Sequence, residues 1–232
     1  MRNASLATLA LLLIIVQAPA AGGDITGKVS FAGTPPKPAR LMTNADPKCM
    51  AQNKEPMLSE EIVVNGNNTL RNVIVYIKDG LKNTTYGVPS QKVVFDQKGC
   101  RYTPHVLGVQ VGQEVEIRNS DPTLHNVHAL SKENPQFNIA QPKQGMVVSR
   151  KFEKPEIIKV KCEVHPWMSA YVGVFDHPYY AVTDDKGSFK LSSLPPGEYT
   201  IEAWHERYGT KTAKVKVERG PAEVNLSFGP GQ

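Results

Sequence analysis

The chain has 232 residues, with 27 Lys and Arg against 22 Asp and Glu, so its formal charge is 27 minus 22, or +5. The lysines are scattered among acidic residues, and no basic cluster or aromatic stacking platform is present, which argues against nucleic-acid binding. Only three cysteines occur, and beyond the first two dozen residues no apolar run approaches the ~20 residues that span a bilayer.

Arg2, the apolar stretch Leu6 to Val16 and the small-residue pattern Ala18-Pro-Ala20 predict a signal peptide over residues 1–21, and hence a periplasmic or secreted protein. No Cys follows the apolar core, so no lipid anchor is expected. The remainder is long enough for two small domains. Ile25 to Gly33 reads as a strand, and Gly33 to Glu60, rich in Pro, Lys and Asn, predicts a long, partly ordered loop. Leu70 to Lys78 reads as a second strand. In a eukaryotic source Asn67-Asn68-Thr69 and Asn83-Thr84-Thr85 would be glycosylation acceptors.

Val109, Val111, Val115 and Ile117 then alternate with Gln110, Gly112, Glu116 and Arg118, broken by a turn at Gly112-Gln113, as half-buried strands do. This puts His125 in a loop or early strand just beyond a sheet edge. From residue 178 every strand-like run alternates, and Asp185-Lys186-Gly187 and Pro195-Pro196-Gly197 are tight turns. Residues 24–88 hold too few strands to close a sandwich, and residues 178–232 alone would leave an unpaired edge. The expected fold is therefore all-β: one sandwich split into 24–88 and 178–232, with a second domain, 90–177, inserted into it or packed against it. The boundaries fall near Gly87 to Gln91 and His177 to Tyr180.

The chemistry concentrates in Cys162-Glu-Val-His165-Pro-Trp167-Met168, which offers a thiolate, an imidazole and a thioether within seven residues. Soft sulfur with imidazole nitrogen and a weak Met is a donor set for copper. Cys-x-x-His alone also suits zinc. A second imidazole is supplied upstream by His125 or, if the chain turns at Asn126, by His128. In an extended segment these two rings point to opposite faces, so they do not share one ion. An odd cysteine count fits a liganded Cys162 and a Cys49–Cys100 disulfide. The alternative is a second metal site at Cys100 and His105, although an exposed His105 ring is the simpler expectation. A binuclear copper site would need a second cysteine in the loop. His177 and His205 are expected at the surface or between domains.

The run Cys-x-x-His-Pro-aromatic-Met, with an upstream His-Asn-Val, resembles the cupredoxin (blue-copper) family, in its amicyanin- and plastocyanin-like branch, over residues 90–177. The resemblance implies a Greek-key β-sandwich and one copper ion held by His125, Cys162, His165 and Met168, with Asn126 tying the two ligand segments together. It also implies one-electron transfer to a redox partner such as a c-type cytochrome or oxidoreductase, docking at an exposed His165 edge, with no catalysis. The turns Thr183-Asp-x-x-Gly-x-Phe189 and Leu194-Pro-Pro-Gly-x-Tyr199 resemble carboxypeptidase-regulatory-like, Ig/transthyretin-like sandwiches. A copper carrier or store, and a binding module with a structural copper, are the other functions the same residues allow.

Overall fold

The computed structural model describes residues 22–82 and 84–231. The expected signal peptide, residues 1–21, and Asn83 lie outside them. In chain order the elements are β1 (Gly23–Phe31), α1 (Pro47–Gln52), β2 (Ile74–Asp79), β3 (Val93–Gln97), β4 (Tyr102–Thr103), β5 (Val106–Gln110), β6 (Val115–Asn119), β7 (His125–Ala129), β8 (Phe137–Gln141) and β9 (Val147–Arg150). They continue with β10 (Glu156–Lys161), β11 (Ser169–Phe175), β12 (Tyr180–Val182), β13 (Ser188–Leu194), β14 (Gly197–His205), β15 (Gly209–Val217), β16 (Ala222–Glu223) and β17 (Leu226–Phe228).

The molecule is nearly all β, as its alternating sequence requires. Strands β3 to β11 make two sheets, ordered β5-β11-β10-β7-β8 and β4-β3-β6-β9. Between them lies a core that includes Phe95, Ile117, Val127, Ile158 and Val172. The period of two is visible strand by strand: in β6, Val115, Ile117 and Asn119 point inward while Glu116 and Arg118 point outward. Strands β1 and β2 join β12 to β17 in two further sheets, β13-β1-β16 with β17 also on β1, and β12-β2-β14-β15. Their inner faces bury a separate core containing Ile25, Val29, Leu70, Val75, Ile201 and Phe228.

The two cores meet at a third, small cluster in which Ile74, Val106 and Phe175 are buried beside Tyr76, Tyr171, Tyr180 and Trp204. Gly108 and Gly173 are cross-strand partners in β5 and β11 and leave this face of the sheet flat. A Cβ at Gly108 would lie 2.7 Å from the Tyr180 ring, and one at Gly173 would lie 2.8 Å from Ile74 Cδ1. Both glycines are therefore dictated by close approach rather than by a turn. The junction also explains a departure from expectation. His105 is not an exposed ring but is buried and bonded to Glu206, just beyond β14. His177 and His205 are buried too; His177 Nε2 donates to the Ile77 carbonyl at 2.9 Å.

Residues 33–60 are more ordered than their composition predicts. Asp46 caps α1 by accepting from Lys48 N at 2.7 Å, with Pro47 in the first turn. The ends of the segment are zipped by Leu41 N to Met57 O and Ser59 N to Ala39 O, both 2.8 Å. Cys49 is bonded to Cys100, with the Cα atoms 5.6 Å apart, and joins the core of the central sandwich. The segment thus belongs by chain position to one sandwich and by packing to the other.

Two predictions follow from these contacts. Replacing both Cys49 and Cys100 by Ser should destabilise the protein by about 4 kcal/mol in urea unfolding, because the bridge closes a loop of about 50 residues in the unfolded chain. The second concerns His205, which packs against Tyr208 and Phe228. Burial, and next the proximity of His105, depress its pKa to about 4. The unfolded chain takes up this proton near pH 6.5, so the stabilising contribution is complete above that pH and is lost as pH falls toward 4. The loss should approach about 3 kcal/mol. His205→Phe should flatten this part of the stability–pH profile.

Candidate metal centre

The hairpin of β10 and β11 positions the first part of the site. Its strands are in register from Glu156↔Val174 to Lys161↔Ser169, so the connecting residues 162–168 project as one loop. Two backbone bonds close that loop: Cys162 N donates to Met168 O at 3.1 Å, and Met168 N donates to His165 O at 2.9 Å. Cys162, His165 and Met168 face inward and are at most 2% exposed.

His125 opens β7, which pairs with both β10 and β8 and is therefore an interior strand, not a segment beyond the sheet edge. Its ring is fully buried. His128 lies on the opposite face, where its Nδ1 bonds Glu163 at 2.5 Å. The odd separation thus sends His125 to the centre and His128 away from it. His125 Nδ1 lies 2.9 Å from His165 Nδ1, and Cys162 Sγ lies 3.8 Å from His165 Nδ1. Ligand atoms of all three residues fall within 4.8 Å of one another. Met168 ends the same loop and is buried in the core cluster that contains Cys162.

Asn126 joins the two segments. Its Oδ1 accepts from Glu163 N at 2.7 Å and from the Cys162 thiol at 3.2 Å, while its Nδ2 donates to Asn138 at 2.5 Å. The buried Tyr102 hydroxyl donates to the Asn126 carbonyl at 2.5 Å.

Two carboxylates back the two imidazoles, and neither stood out in the sequence. His125 Nε2 bonds Asp121 Oδ2 at 2.8 Å, and His165 Nε2 bonds Asp46 Oδ2 at 2.9 Å. Asp121 also accepts from the amides of Gly99 and Cys100, each at 2.7 Å. Asp46 Oδ2 accepts from Thr123 Oγ1 at 3.0 Å as well. Asp46-Pro47 could have been read as a helix start, but no local pattern says which side chain lies across the cap. With each Nε2 facing a carboxylate, the Nδ1 atoms are the faces left for a metal.

The electrostatics agree with that division. Burial raises the Cys162 thiol, but bonds from His125 and His165 outweigh it and hold the pKa at about 6. Burial lowers both histidines, and the neighbouring carboxylates and Cys162 more than reverse this, so both are raised. For Asp46, burial is outweighed by bonds from His165 and Lys48, which keep it near 2. An anionic sulfur beside two Nδ1 atoms, in a buried space, fits a soft or borderline metal ion. Two other groupings, Asp46–Cys49–His165 and Cys100–Asp121–His125, contain disulfide sulfurs and so offer no thiolate. The alternative site at Cys100 and His105 fails for the same reason.

One expectation is overturned here. The His165 edge is not an open docking patch: the residue is 1% exposed, with Asp46 over its Nε2. Trp167 packs inward as well, its ring centroid 5.0 Å from that of His165 and its Nε1 donating to Cys100 O at 3.1 Å.

Residues 165–228 match the family described as carboxypeptidase regulatory-like domain, a match that begins inside the loop of the central sandwich. No curated protein matches the chain. Among solved structures it is similar to a Cu(I) amicyanin variant, at 24% identity over 43% of this chain and 97% of that one, with a TM-score of 0.33. A purple cupredoxin from Nitrosopumilus maritimus is 24% identical over 36% and 97%, with a TM-score of 0.31. A Cu-containing nitrite reductase from Thermus scotoductus is 22% identical over 42% of this chain, which spans only 25% of that enzyme, with a TM-score of 0.33. The chain is thus similar to cupredoxins over part of its length, and over residues 165–228 to carboxypeptidase regulatory-like domains.

Proposed function

We propose that this is an exported mononuclear copper protein that carries single electrons between redox partners, with the ion held by His125, Cys162, His165 and Met168. The observation that carries this reading is the buried convergence of the Cys162 sulfur with two Nδ1 atoms, both Nε2 atoms being committed to carboxylates. Copper at these donors would supply a one-electron couple between its +1 and +2 states. Cys162 would bind as the thiolate, His125 and His165 would each present a neutral Nδ1, and Met168 would add a weak sulfur contact. Asn126 and the two loop-closing backbone bonds hold the donors in place whichever charge the ion carries.

Electron transfer is proposed over catalysis because the proposed ligands are buried and Asp46 covers the His165 edge, so no donor face is open to a substrate. It is favoured over copper delivery because three of the four proposed ligands are at most 2% exposed and the fourth, His125, is fully buried, which suits retention of an ion rather than its hand-over. A c-type cytochrome or an oxidoreductase is the proposed kind of partner. Export rests on residues 1–21, and the Cys49–Cys100 bridge suits an oxidising compartment. Insertion of residues 90–177 into a sandwich formed by 24–88 and 178–232 is part of the same reading. It is supported by β1 and β2 sharing a core with β13 to β15 and β17.

Copper-loaded protein should show strong visible thiolate-to-copper absorption and a reversible one-electron couple, and Cys162→Ser should abolish the colour. A colourless Cu(I) form that yields its metal readily to chelators would refute the electron-carrier reading. His125→Ala should likewise destroy the chromophore, whereas His128→Ala should leave it nearly unchanged; the reverse pattern would move the ligand assignment to His128.

A further inference from the structure

Asp46 lies outside the central sandwich in sequence, yet its side chain reaches a proposed copper ligand. Its two oxygens have separate tasks. Oδ1 caps α1 through Lys48 N at 2.7 Å, and Oδ2 faces His165 Nε2 at 2.9 Å and the Thr123 hydroxyl at 3.0 Å. The segment that carries it is held from within α1 and at its C-terminal end. Cys49, three residues on, is bonded to Cys100, and Asn53 Nδ2 donates to the Gly99 carbonyl at 3.1 Å. The carboxylate is thus fixed against the imidazole rather than sampling it from a free loop.

A carboxylate that accepts Nε2–H has two consequences for a ring that binds metal through Nδ1. It fixes the tautomer that leaves Nδ1 unprotonated, and it makes the imidazole a stronger donor, which favours the more highly charged metal ion. It also closes the ring edge to solvent, as the 1% exposure of His165 records. His125 has an equivalent partner in Asp121 at 2.8 Å, but that carboxylate comes from the central sandwich itself.

On the reading that His165 is a copper ligand, we propose that Asp46 is a positioning residue of the centre: the segment around α1 supplies a carboxylate that orients His165 and selectively stabilises the Cu(II) state. The split chain then has a reason to bring this segment across the sandwich boundary.

Asp46→Asn separates the roles, because Asn caps a helix about as well as Asp and has nearly the same shape, but lacks the charge. The full chain is loaded with copper, and the affinities for Cu(II) and Cu(I), the reduction potential and the visible spectrum are compared for the parent and the variant. The expected result is retention of the thiolate-to-copper band, with Cu(II) affinity weakened 10- to 100-fold and Cu(I) affinity unchanged. For a one-electron couple each tenfold selective loss raises the potential by about 59 mV. Unchanged affinities and potential in a folded, copper-loaded variant would overturn the proposal while leaving the copper reading intact. A parent protein that takes up no copper would overturn both. Should the variant fail to fold, proton NMR of the parent Cu(I) form decides: a His165 Nε2–H resonance protected from solvent exchange is expected, and rapid exchange would overturn the assignment.

Discussion

Cys162, His125 and His165 place three ionisable groups within 4.8 Å of one another in a space closed to water. Such a cluster is costly unless charges of both signs are present and hydrogen-bonded. Asp121 and Asp46 stand behind the two imidazoles, and Asn126 reaches the sulfur. Much of the surrounding structure serves that balance. The interior position of β7, the closed loop after β10 and the buried Tyr102 hydroxyl each fix one member of the cluster. A metal cation at the centre would complete it, held by the thiolate and by the Nδ1 lone pairs of both rings once protons are displaced from the site.

Both carboxylates lead back to one covalent link. Asp46 sits three residues before Cys49, and Asp121 accepts the amide of Cys100, the residue to which Cys49 is bonded. The disulfide therefore does more than shorten the unfolded chain. It sets the spacing between the cap of α1 and the turn at Gly99 and Cys100, and through them the orientation of both histidines. Cys100 holds a positive φ of 55°, which is unusual outside glycine, and the Asp121 bonds to its amide and that of Gly99 support this turn. The flat glycine pair, Gly108 and Gly173, gives the second sandwich a comparable seat on the sheet of β5 and β11.

The strand content and the ligand loop were legible because both are written locally. Alternation in Val115 to Asn119 reports a two-residue period, and the Cys162 to Met168 spacing places three donors in one turn. The opposite faces of His125 and His128 also follow from that period. What local pattern could not express was the crossing of residues 39–59 onto the central sandwich. Its composition reads as loop, because Pro and Asn mark turns whether or not their side chains find distant partners. The burial of His105 was missed for the same reason, since it is covered by Glu206, far away in sequence. Asp46 and Asp121 show no periodicity that separates them from ordinary surface acids.

The central claim is that one thiolate and two imidazoles form a single copper site. X-ray absorption at the copper edge of protein loaded with one equivalent tests it most directly. The account predicts a first shell of one strong sulfur and two nitrogen scatterers, with the outer-ring signature of imidazole. A shell of oxygen alone, or one dominated by several sulfurs, would contradict it.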